Sequence, residues 1–210
     1  MEDILRGLRS VQQQIDLLME QLKSMAPDCE DRVAEVCASL GQKPMWVAEP
    51  TAVRPYEPLI PGFWLGFAKT EQVSICQHLR SDSGSEARPY AWTISTGPDF
   101  QSEWLTVEFP LTRAELVMNR SLSINVELSS SVAGNLQFAV KSHGKNIEPK
   151  FTELVKYELT SGTLQIVDIV SLIRAVTELN DQYDDVRILA VLPPAPSATF
   201  TFSRFLISLV

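Results

Sequence analysis

Histidine and cysteine are scarce in this 210-residue chain, with two and three copies, and that scarcity removes whole classes of chemistry. No C-x-x-C occurs, and His78 and His143 do not form a ligand pair, so no metal site and no cofactor are expected. Cys29 and Cys37 sit eight residues apart on one predicted helix, about 12 Å along its axis, too far to bridge. With Cys76 they make an odd, sparse set, which reads as reduced thiols in a cytoplasmic protein. No long apolar run exists and no secretory apolar core is expected near the start, so neither membrane insertion nor export is anticipated. Basic excess is missing too. The net charge is -8, and no Lys/Arg cluster locally reverses it, which disfavours nucleic acid. P-loop, G-x-G-x-x-G and G-x-S-x-G motifs are all lacking. Nothing nominates a catalytic set, so a binding or structural role is the expectation.

What is present begins with a period. Ile4, Leu8, Val11, Ile15, Leu18, Leu22 and Met25 recur at alternating steps of four and three. A strict 3.5-residue apolar repeat leaves a narrow stripe that must meet another helix. With Leu8, Ile15 and Leu22 at a and the others at d, the β-branched d positions lean toward a trimer or tetramer. Leu5 and Met19 widen the stripe. The flanks carry Gln12, Gln14 and Gln21 rather than a charge code, so self-association is the simpler expectation. The same stripe also suits a helix folded back on its own domain. Few Lys or Arg line its polar face, which suits anionic lipid poorly.

Pro27 should end that helix. Asp28 can cap a second one carrying Val33, Val36, Cys37 and Leu40 on one face, with Gly41 as its stop. Pro44, Pro50, Pro55, Pro58 and Pro61 then exclude helix and make a poor central strand, so residues 42–61 read as an extended linker pinned by Trp46 and Tyr56. From Gly62 the period becomes two. Leu122, Ile124, Val126 and Leu128 alternate with Ser123, Asn125 and Glu127, the clearest half-buried strand in the chain. Leu105, Val107 and Phe109 alternate likewise, and a parity switch at Ser203-Arg204 predicts a bulge. One helix is expected to interrupt, capped by Asp168 and carrying Val170, Ile173, Val176 and Leu179.

Eight to ten short strands with regular turns predict a mainly β fold, an antiparallel sandwich with one inserted helix. The expected division is a helical oligomerisation segment over 1–41, a Pro-rich linker over 42–61 and the sandwich over 62–210. The strands Trp104-Leu105-Thr106-Val107-Glu108-Phe109 and Leu122 to Leu128, with the closing pair Val186 to Val191 and Phe200 to Ile207, resemble the jelly roll of galactose-binding-like domains and carbohydrate-binding modules. The resemblance is one of layout, without a diagnostic motif. It implies a glycan or polysaccharide ligand.

For such a ligand Tyr90, Trp92, Asp99 and Trp104, next to Arg88, offer stacking rings and hydroxyl partners. The alternative for Trp92 and Trp104 is a place in the core, and Trp64, between Phe63 and Leu65, reads as core. Asp181, Asp184 and Asp185 could hold calcium, but their spacing suits a solvated acidic loop. Glu103 and Glu108 are carboxylates that sequence alone cannot pair for acid–base work. The expectation is thus a non-catalytic, homo-oligomeric binding protein displaying a sandwich to glycan. The alternatives are an adaptor whose sandwich binds another protein and a jelly-roll hydrolase or lyase.

Overall fold

Alternation dictates two layers, and two layers are found. The computed structural model describes residues 32–46, 48–80, 89–111, 121–144, 147–172 and 185–209. The heptad residues Ile4 to Met25 and the acids Asp181 and Asp184 lie outside them. One six-stranded antiparallel sheet, sheet A, runs in the order β1 (Thr51–Val53), β4 (Val73–Leu79), β5 (Tyr90–Thr96), β12 (Thr199–Leu209), β7 (Ser121–Ser130), β10 (Leu164–Leu172). The other, sheet B, runs β2 (Pro58–Ile60), β3 (Phe63–Gly66), β6 (Leu105–Leu111), β11 (Asp185–Leu192), β8 (Gly134–Gly144), β9 (Ile147–Leu159). β7 follows its sequence pattern strictly: Leu122, Ile124, Val126 and Leu128 are buried while the residues between them are half-exposed.

Between the sheets lies an aromatic core. Trp92 stacks on Phe202 at 4.1 Å between ring centroids and meets Phe63 edge-on at 5.6 Å. The β12 register shifts between Phe202 and Arg204, as the parity switch predicts. The extra residue turns both Phe202 and Phe205 inward. Outside, Ser203 Oγ donates to Glu127 Oε2 at 3.1 Å and Arg204 pairs with Glu127 at 3.4 Å.

Three elements differ from the sequence reading. The second helix, α1 (Arg32–Gln42), runs through Gly41 instead of stopping at it. It inserts Cys37 and Leu40 into the sandwich core, and Asp31–Val210 form one compact unit, so this helix belongs with the sandwich rather than with a segment ending at 41. The Pro-rich stretch also belongs there, since it supplies an edge strand to each sheet, β1 and β2. Pro58 opens β2, where a missing N–H is harmless. Finally, Asp168 to Leu172 are strand, paired with β7 through Leu172↔Ser121, where the onset of a helix was expected. The run Ile166, Val167, Ile169, Val170 is β-branched, which favours a pleated partner over a helix.

Gln77 fastens α1. It is buried on β4, and its amide donates to the carbonyls of Leu40 and Lys43, both at 2.9 Å. Its Oε1 accepts from the N–H groups of Met45 (2.5 Å) and Trp46 (3.1 Å). One side chain thus caps helix carbonyls that have no partner in the helix and fixes the chain leaving it. Trp46 is held over the core, 5.7 Å from Phe63.

Candidate functional site on the outer face of sheet B

On β6 the odd-numbered residues face the core. Thr106 and Glu108 face outward, yet they are buried, to 5 % and 1 % exposure. A carboxylate on an outer face is hidden only if something covers it, and the cover is Tyr56. This residue adopts a left-handed φ of 60°, and its N–H donates to Leu65 O at 2.8 Å, which lays the ring over Gly66. Gly66 has to be glycine. A Cβ there would come 2.6 Å from Glu108 Oε1 and 3.0 Å from Tyr56 Cε1, and would collide with Thr106 Oγ1.

Under that cover the polar groups satisfy one another. Thr106 Oγ1 donates to Glu108 Oε1 at 2.8 Å, and Arg187 Nη1 donates to Glu108 Oε2 at 2.9 Å. Register places Trp64 beside Glu108. The Arg187 guanidinium lies 4.9 Å from the Trp64 ring centroid, a stacked cation. Trp104 Nε1 donates to the Tyr56 hydroxyl at 3.0 Å. Burial, the largest cause, and the Glu108 charge push the Tyr56 hydroxyl above its ordinary 10, while the Trp104 hydrogen bond and Arg187 pull it back in part. It stays protonated near neutrality, so after accepting from Trp104 it keeps a hydrogen to donate.

The strip continues across the sheet. β11 and β8 set Arg187 opposite Lys141, and β8 and β9 set Lys141 opposite Phe151. Tyr56, Lys141, His143 and Arg187 line a cleft of about 180 Å³. Phe151, Tyr56 and Trp104 are exposed to 61 %, 40 % and 38 %. Ring faces beside charged and hydroxyl donors can hold a ligand with an apolar face and a polar rim.

The residues expected from sequence do not converge. Trp92 is 1 % exposed and stacked on Phe202, so it offers no face to a ligand; it is a core residue. Tyr90 is half-buried on β5 of sheet A, opposite Leu79. Asp99 is exposed in the turn after β5. Of the four, Trp104 alone joins the outer face of sheet B. Tyr56, read as a linker pin, and Trp64, read as core, belong to that face, along with Glu108, Lys141, Phe151 and Arg187. Parity was the usable signal: inward Leu105 and Phe63 each put the neighbouring Trp104 and Trp64 outward.

No family model matches the sequence and no curated protein matches it. Among solved structures the chain is similar to carbohydrate-binding modules. One is a family 11 module from Clostridium thermocellum in complex with a β-1,3-1,4-mixed-linked tetrasaccharide, at 11 % identity over 77 % of this chain and 95 % of that one, with a TM-score of 0.45. A xylan-binding domain from Paenibacillus barcinonensis follows at 11 % identity, 79 % and 97 % coverage and a TM-score of 0.46. Another xylan-binding domain gives 7 % identity, 78 % and 95 % coverage and a TM-score of 0.49. Such values describe a shared sandwich layout and assign neither family nor ligand to this chain.

Proposed function

We propose that this protein is a glycan-binding module whose combining surface is the outer face of sheet B. The observation that carries this is the cluster of exposed rings, Tyr56, Trp104 and Phe151, around the self-satisfied Thr106–Glu108–Arg187 network. Sugars present an apolar ring face that stacks on aromatics and hydroxyls that take charged partners. The network is already paired, so binding leaves no buried charge stranded. The solved modules named above bind saccharides, in keeping with this reading.

The heptad helix adds multivalency. Several weak sites on one self-associating stalk gain avidity without new contacts. Leu8→Asp with Ile15→Asp is expected to convert a trimer or tetramer to a folded monomer by light scattering. An unchanged mass would remove the stalk from the account. A cytoplasmic location is in keeping with the sparse cysteines. Of the described helices, none is long and apolar enough to cross a membrane.

Tryptophan fluorescence titrated with a saccharide panel tests the site. Trp104→Ala is expected to abolish the response while the far-UV spectrum stays native. Trp92→Ala is expected to cost about 3–5 kcal/mol of stability and so to report on folding, not on ligand. One observation favours an adaptor: Leu164 and Ile166 are exposed on edge strand β10 of sheet A, where a partner strand could add. A protein that copurifies and is lost on Ile166→Lys, with no sugar bound, would select that reading.

A further inference from the structure

We infer that this face selects an acidic saccharide, one whose sugar carries a carboxylate or sulfate that pairs with the Lys141 ammonium. The inference rests on the glycan reading and adds the ligand's charge. Its ground is a broken local rule. Like charges directly opposite on neighbouring strands repel, and Arg187 and Lys141 are directly opposite. Glu108 answers only one of them: Oε2 is taken by Arg187 and Oε1 by Thr106. Among the described residues no ion pair includes Lys141.

Aromatic rings hold Lys141 instead. Its Nζ lies 5.9 Å from the Tyr56 ring centroid and 5.6 Å from that of Phe151, between the two rings that a sugar would stack on. Both rings are exposed, and the cleft beside them is lined by Arg187 and His143. In a chain of net charge -8, general attraction for polyanions is weak, so a cation held at this one place acts locally. Sequences break local rules at functional sites. A sugar anion entering the cleft meets the ammonium, relieves the cross-strand repulsion and keeps its ring over Tyr56 or Phe151. A neutral sugar would stack equally well but leave that repulsion in place.

The test is affinity electrophoresis of the full chain in gels holding polygalacturonate, its fully methyl-esterified form, alginate, dextran sulfate, dextran and mixed-linkage β-glucan. At least one acidic polymer is expected to retard the protein while its neutral counterpart does not. Retention on a uronate or on dextran sulfate then distinguishes carboxylate from sulfate. Lys141→Met, which keeps the stem, is expected to weaken that retention roughly tenfold or more, and Lys141→Arg to restore most of it. Thermal melting checks that each variant folds. Retention by neutral polymers that Lys141→Met leaves unchanged overturns the acidic selection and keeps the glycan reading. Acidic retention insensitive to Lys141→Met also overturns it. No retention by any polymer overturns both.

Discussion

Gln77 and Glu108 are both polar, both buried, and each sits on a strand of a six-stranded sheet, yet they are satisfied in opposite ways. Every bond to Gln77 comes from backbone: Leu40 and Lys43 carbonyls, Met45 and Trp46 amides. The Glu108 carboxylate is held by side chains, Thr106 and Arg187. Backbone cannot be replaced by substitution, so Gln77 is bound to the fold. A side-chain network can be exchanged for another of similar shape, so Glu108 is bound to the surface it shapes. Burial of a polar group alone does not mark a site; the identity of its partners does.

Between these two buried groups and their surroundings, the largest expected effect is at Gln77. Gln77→Leu leaves helix-end carbonyls and two amides without partners and is expected to cost about 3 kcal/mol, read as a lower urea midpoint. A loss under about 1 kcal/mol would mean water replaces the amide and the contrast fails. Next comes Gly66→Ala. Its Cβ would push on Glu108 and Tyr56, and about 1–3 kcal/mol is expected from overpacking. Glu108→Gln weakens a charged bond to an Arg187 side chain that is still 24 % exposed, so about 1–2 kcal/mol is expected. Replacing the pair, Glu108→Leu with Arg187→Met, is expected to be close to neutral in stability while ending ligand binding. No partner swap rescues Gln77, and that asymmetry is the sharpest form of the comparison.

The smallest effect is on pH dependence. Tyr56 has its hydroxyl raised above 10 in the folded state, chiefly by burial. A raised value means the folded protein holds the proton more tightly. The resulting stability is therefore complete below pH 10 and is lost as pH climbs through the folded value. Alkaline absorbance titration of the protein against Tyr56→Phe is expected to show one late-titrating phenol. A Tyr56 that ionises below 10 would remove the cover over Glu108 from the account.

Sheets were legible because burial on one face writes a period of two into sequence. β7 and the bulge in β12 were read directly from Leu122 to Leu128 and from the Phe202/Phe205 parity. The strand continuing through Leu172 was missed because Val170, Ile173, Val176 and Leu179 also fit a helix, and short apolar runs satisfy both periods. Edge strands at Thr51 and Pro58 were hidden by proline, which edges tolerate. The site was less legible. Trp92 and Trp104 are alike in sequence, and only parity against Ile94 and Leu105 separates the buried ring from the exposed one. Glu108 and Arg187 meet across a separation of 79 residues, which no local pattern encodes.

Backbone amide NMR of the full chain, titrated with whichever saccharide retards it, tests most directly that the outer face of sheet B is the combining surface. Shifts are expected to gather at Tyr56, Trp64, Trp104, Lys141 and Phe151 and to leave Tyr90 to Asp99 in place. Shifts centred on Tyr90 and Asp99, or on Leu164 and Ile166 of β10, would contradict the assignment.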